Sequence, residues 1–165
     1  MDIQVDIERK DLVALNLYLF PRLRGNWITL GVLAVGIFTY IFLTQKPTTP
    51  YNFVIAAFAS GIGGIAGVLV GCIVSVVMML LMVGKKSGVL GRHHYTLTDL
   101  GLREVTDANE SVHKWSGIQD IIKLPRYILL QINGYLFHVV PQRAFANEEQ
   151  FLAFYEKARA LHNAA

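Results

Sequence analysis

The stretch whose reading decides the fold is Trp27–Thr44, WITLGVLAVGIFTYIFLT, followed by Tyr51–Gly84, YNFVIAAFASGIGGIAGVLVGCIVSVVMMLLMVG. Neither run contains a charged residue, and Lys46 is the one charge between Arg24 and Lys85. At about 1.5 Å per residue the first run covers about 27 Å, most of a hydrocarbon core of about 30 Å. The second would reach about 51 Å as one helix, more than a bilayer needs, so its spanning part is set at residues 53–83. Between them Gln45–Pro50, QKPTTP, carries two prolines that forbid one continuous helix. A two-helix transmembrane hairpin is expected, with spans at 27–44 and 53–83. A signal peptide has an apolar core of about 7–15 residues behind a short basic start. The mixed 26-residue stretch ahead of Trp27 does not fit one.

Charge explains orientation. Arg9, Lys10, Arg22 and Arg24 precede the first run; Lys85, Lys86 and Arg92 follow the second; the turn has only Lys46. By the positive-inside rule both termini are expected to be cytoplasmic, making a multi-pass protein of a cytoplasmic membrane. Trp27 and Tyr51 sit at the edges, where amphipathic rings prefer to lie. The net charge of +3 and pI near 9.1 therefore need no nucleic acid. Residues 85–165 hold ten Lys/Arg against eight Asp/Glu, without the basic stripe and stacking aromatics of a nucleic-acid surface. The single cysteine, Cys72, excludes an intramolecular disulfide and a cysteine-based metal site.

The second run repeats small residues every four positions: Ala59, Gly63, Gly67, Gly71 and Ser75. In lipid, where close packing drives helix association, such a face suits the neighbouring span or a second copy of the chain. Gly61-x-Gly63-x-x-Ala66 matches a dinucleotide-binding pattern but lacks the preceding strand and the acid about 20 residues on; the nearest downstream acid is Asp99.

Outside the apolar runs the chain reads as soluble protein. Ile3, Val5 and Ile7 alternate with polar residues as in a strand. Leu12, Leu15, Leu19 and Leu23 then make an apolar helical face interrupted at Pro21, suited to the membrane interface or to packing on the C-terminal domain. Strands are expected at His93–Leu97, Gly101–Thr106, Ser111–Lys114, Ile118–Leu124, Tyr127–Ile132 and Tyr135–Val140. Asn133-Gly134 between the last two is a strong hairpin signal. A closing helix is expected at Glu148–Leu161, with Asn147 and Gln150 as a capping box and Phe151, Phe154, Tyr155, Ala158 and Leu161 on its apolar face. The predicted fold class is an α+β membrane protein. It has an N-terminal strand and helix (1–26), a transmembrane hairpin (27–84), and a cytosolic antiparallel sheet domain with a C-terminal helix (85–165). The sheet-plus-helix part is comparable in layout to pleckstrin-homology-like modules, a likeness of fold that carries no function.

GRHHYTLTDLGLRE (Gly91–Glu104), HKWSGIQDI (His113–Ile121) and YILLQINGYLFHVVPQRAF (Tyr127–Phe145) resemble the YcxB-like bacterial membrane proteins. Trp115-Ser116 and Pro141-x-Arg143-Ala144-Phe145 are the most particular pieces. The resemblance implies the same architecture and a bacterial inner membrane; it carries over no catalytic residue.

Candidate chemistry is sparse. His93 and His94 are adjacent on one strand, hence on opposite faces, and His113 and His138 lie on other strands with no cysteine or spaced acid to join them. No metal and no cofactor is expected. Ser111 or Ser116 with His113 and Asp120 could be written as a triad, but no nucleophile elbow or oxyanion loop accompanies them, so no enzyme is expected. Arg143 suits either a local structural bond, with Glu148 for instance, or lipid phosphate. The expected function is a membrane-tethered cytosolic interaction module binding a protein partner or a second copy. The alternative is anionic-lipid binding through Lys85, Lys86, Arg92 and Arg143, each worth about 1 kcal/mol at an anionic leaflet. A channel or transporter is disfavoured by the absence of intramembrane charge.

Overall fold

The computed structural model describes residues 1–84, 88–134 and 136–165. The order is β1 (Asp2–Ile7), α1 (Arg9–Leu19), a 3₁₀ turn (Phe20–Arg22), α2 (Arg24–Gln45), α3 (Pro50–Met82), β2 (Gly91–Leu97), β3 (Gly101–Thr106), β4 (Glu110–Lys114), a 3₁₀ turn (Trp115–Gly117), β5 (Asp120–Leu124), β6 (Tyr127–Asn133), β7 (Leu136–Pro141), a 3₁₀ turn (Gln142–Ala144) and α4 (Glu148–Asn163). The protein is thus α+β: two long apolar helices toward the N-terminus, then antiparallel strands and a C-terminal helix.

The chain forms two compact units. One joins Met1–Leu12 to Val83–Ala165; the other is Val13–Met82. The expected segment 1–26 is shared between them, because β1 pairs with β2.

In the helical unit, α2 and α3 are long and apolar enough to cross a membrane, with mean hydropathy of 2.0 and 2.8 over their best windows. α2 ends at Lys46, which takes the left-handed conformation (φ 45°) and donates its N–H to Phe42 O. Pro50 opens α3, where its missing N–H costs nothing. Hydroxyls within the helices satisfy themselves: Thr39 donates to Val35 O, Thr44 to Tyr40 O and buried Ser60 to Ala56 O. Trp27 Nε1 donates to Pro21 O and Asn26 Nδ2 to Phe20 O, closing the 3₁₀ turn onto the start of α2.

The strands form two antiparallel sheets rather than the single sheet read from the sequence. One has the order β1-β2-β3-β4 and the other β5-β6-β7. The 3₁₀ turn at Trp115–Gly117 interrupts pairing, so β5 starts at Asp120 where Ile118 was expected. The last strand is described from Leu136; Tyr135 lies outside the described residues. Residues paired across a ladder share a face. Ile3, Tyr95, Glu104 and Ser111 form one row of the first sheet, and Val5 pairs with His93 and Leu102 with His113. In the second sheet Leu130 pairs with His138 and Ile128 with Val140. These rows face each other, since Tyr95 and His138 meet ring to ring at 5.6 Å. Trp115, Tyr95, Leu102, Ile128 and Leu130 are the fully buried centre. Trp115 donates Nε1–H to Thr98 O at 2.8 Å, so its polar atom is paired despite burial.

α4 runs two residues beyond its expected end. Asn147 caps it, its side chain accepting from Gln150 N at 2.8 Å. Gln150 returns a bond to Ala146 N rather than to the cap residue itself, a looser capping box. Phe151, Phe154 and Ala158 are buried, and Phe145 stacks edge-on against both phenylalanines at 5.5 Å.

Candidate functional site

The residues singled out in the sequence do not gather in one place. On α3, Gly63 and Gly67 meet the neighbouring helix closely: an added Cβ would stand 2.8 Å from Ile37 Cδ1 and 2.8 Å from Leu33 Cδ1 respectively. The nearest backbone approach is at Gly64, whose Cβ would stand 3.2 Å from Leu30 O and 3.3 Å from Ala34 N. The residues buried along α3 are Ala56, Ser60 and Gly64. Ala59 is exposed, while Gly71 and Ser75 line a cavity with Asn16 and Asn26. The helix contact thus takes in Gly63 and Gly67 of the expected face together with the adjacent row Ala56, Ser60 and Gly64.

Of the basic set, Lys85 and Lys86 lie outside the described residues. Arg92 is exposed and stands 3.7 Å from the Asp107 carboxylate. Arg143 is held within the fold. Its Nη1 donates to Asp11 Oδ1 at 2.7 Å and its Nη2 to Asp11 Oδ2 at 2.6 Å, a bidentate fork, with Nη2 also donating to Asp6 O at 2.8 Å. Glu8 Oε1 stands 3.3 Å away. The acids come from the β1–α1 corner, not from Glu148. Asp11 is fully buried and also accepts from Glu8 N. Burial alone would raise its carboxyl; the Arg143 bonds and the Glu8 amide outweigh that and hold it below the usual value. Arg143 is raised in turn, first by its bond to Asp11.

A cluster the sequence did not announce lies between the sheets. Glu104 on β3 points inward and accepts from the His93 ring (Nδ1–Oε1 2.8 Å), with His138 Nδ1 at 3.3 Å and Ser111 Oγ at 3.4 Å from its other oxygen. The buried Tyr95 hydroxyl completes the set. His113 lies beside it, its ring 4.8 Å from that of His138 and its Nε2 3.3 Å from Ser111 Oγ. The acid thought missing among the histidines is Glu104. Burial would raise its carboxyl, but the bonds to His138, His93 and Tyr95 outweigh this and it stays ionised far below the usual carboxylate range. The same carboxylate, after burial itself, pushes the Tyr95 hydroxyl well up. Burial, then the His138 charge, lowers His113. The signal was present: β3 alternates, Leu102 is inward, so Glu104 two positions on is inward too. Ser111, His113 and Asp120 do not assemble as a triad. Asp120 accepts from its neighbour Ile121 N, while Ser111 and His113 join the Glu104 cluster.

The domain built on this cluster is a two-sheet α+β unit closed by a helix. A family model described as YcxB-like protein matches residues 97–158. The YcxB-like resemblance read from the sequence is thus shown for this segment, which runs from the end of β2 into α4 and includes Glu104, His113, His138 and Arg143. No curated protein and no solved structure gives a significant match to the chain.

Proposed function

We propose that the protein is an integral membrane protein of a bacterial inner membrane. α2 and α3 cross the bilayer as a hairpin, both termini are cytoplasmic, and the two-sheet domain is a cytosolic interaction module. The apolar helices support the membrane part. α2 buries none of its residues, and Val32, Val35 and Leu43 are each about two-thirds exposed, a surface that needs lipid as its solvent. The basic residues before α2 support the orientation. With Cys72→Ser as background, Thr48→Cys should react with an impermeant thiol reagent from outside the cell and Leu100→Cys should not. The reverse pattern defeats the topology.

One observation carries the interaction reading. β4 hydrogen-bonds with β3 on one side and, among the described residues, with no strand on the other. Val112, at its middle, is 56% exposed. An open edge of this kind accepts an added strand from a partner or a second copy. A photo-crosslinking residue at Val112 in native membranes should capture one specific partner or the self-dimer; capture of neither counts against the reading.

Anionic-lipid binding is the second reading. It rests on a groove of about 570 Å³ whose charged lining is Lys10, Arg126 and Arg143 with one acid, Glu148. The Arg143 fork is already taken by Asp11; Lys10, paired with Glu8 at 2.9 Å but well exposed, and Arg126 remain as its cations. Vesicle flotation with the full chain in nanodiscs, with and without Lys10→Gln/Arg126→Gln, tests it. Anionic-lipid dependence unchanged by those substitutions sinks it.

A further inference from the structure

We propose that Glu104, His113 and His138 bind one divalent transition-metal ion of the zinc class between the two sheets. Among the described residues, these three bring one ligand atom each to within 4.8 Å of one another. Glu104 Oε1 and His138 Nδ1 are 3.3 Å apart. That is the edge expected of a tetrahedron: two ligand atoms each about 2.0–2.1 Å from zinc stand about 3.4 Å apart. The His113 ring stands 4.8 Å from that of His138, on the same side of the cluster. The three ligands come from β3, β4 and β7, so rigid strands of both sheets carry them.

The rings around the site also keep polar atoms without partners. Nε2 of His93 and Nε2 of His138 are buried and have no hydrogen-bond partner. Each of these rings turns its other nitrogen to Glu104. Buried polar atoms are seldom left unpaired, because nothing replaces the water they give up. Both atoms lie on the ring edges turned away from Glu104, so the ion is held by the Nδ1 edge of His138 and they are not its ligands. His93, through Nδ1, plays the part of the outer residue that orients a ligating carboxylate. Two imidazoles and one carboxylate suit zinc and its neighbours; magnesium and calcium take oxygen sets and fit poorly. Three protein ligands leave a fourth position for water. The bound ion would join the two sheets across the interior.

The test uses the full chain in detergent, stripped with chelator and dialysed. Zinc titrated by calorimetry should bind at one ion per chain and raise the Tm, whereas magnesium should do neither. Cobalt in place of zinc should give the visible absorption of a low-coordination site. Glu104→Gln and His113→Gln should each weaken zinc by about tenfold or more, and His93→Gln by roughly 10- to 100-fold. His94→Gln, exposed on the other face of β2, should leave affinity unchanged. Circular dichroism and melting of each variant without metal establish that it folds. If a variant does not fold, the wild-type zinc shift and cobalt spectrum decide. Their absence overturns the proposal, as does equal zinc binding by wild type and a folded His113→Gln.

Discussion

Arg143 and Asp11, 132 residues apart in sequence, form a two-point ion pair at 2.6 and 2.7 Å in which the carboxylate is fully buried and the guanidinium about one-third exposed. The pair fastens the turn after β7 to the corner between β1 and α1. Removing one partner strands a buried charge, which typically costs about 3–5 kcal/mol. Arg143 retains some contact with water, so Arg143→Ala should cost about 2–4 kcal/mol. Arg143→Lys should recover little, because an ammonium cannot supply the planar fork. Urea unfolding followed by tryptophan fluorescence checks both.

Asp11 also sets a pH dependence. Its carboxyl titrates lower in the folded protein than the ordinary 3.8, so the unfolded chain binds more protons in acid. The stability it contributes is whole above about pH 5 and drains away as pH falls through 3.8 toward the folded value. Asp11→Asn should be less stable at pH 7 and lose less on going from pH 5 to pH 3. Equal acid slopes for the two proteins contradict this.

At Gly64 the helix backbones come too close for a larger side chain. Gly64→Val should force α2 and α3 apart and cost about 1–3 kcal/mol of thermal stability in detergent. Gly61→Val is the control, since nothing stands within 4 Å of its Cβ position. Similar losses from both would mean that the cost is one of helix propensity and not of packing.

Gly101 opens β3 with its Cβ position only 2.1 Å from His113 O. A flexible neighbour could yield, but a backbone oxygen in a ladder cannot. Gly101→Ala should push β4 from β3 and destabilise the domain by about 3 kcal/mol or more, beyond ordinary overpacking. Hydrogen exchange at β4 amides should rise before that of β6.

The long uncharged runs made α2 and α3 legible within a few residues, since composition alone sets them. Alternation found β1, and Asn133-Gly134 found the β6–β7 hairpin, because these are local signals. The division into two sheets was not legible. It depends on the turn at Trp115–Gly117, whose cause is the tertiary burial of Trp115 and its bond to Thr98 O. The role of Glu104 is hidden in the sequence for a related reason. An acid within a strand looks like a solvated residue until the register places it opposite Tyr95 and beside two buried histidines. Arg143 was marked, but its partner lies across the helical insertion, and no spacing rule reaches that far.

The pairing of β1 with β2 bears on the order of events during synthesis. Met1 O accepts from Leu97 N, and the Met1 ammonium donates to Leu97 O across 96 residues. At about 5–20 residues per second, that interval corresponds to roughly 5–20 s on the ribosome. Throughout it β1, half apolar by sequence, lacks the partner strand it pairs with in the folded protein, while both apolar helices are made. A fragment cut to begin after α3 would escape that delay, but it would fold without its first strand and with Arg143 deprived of Asp11.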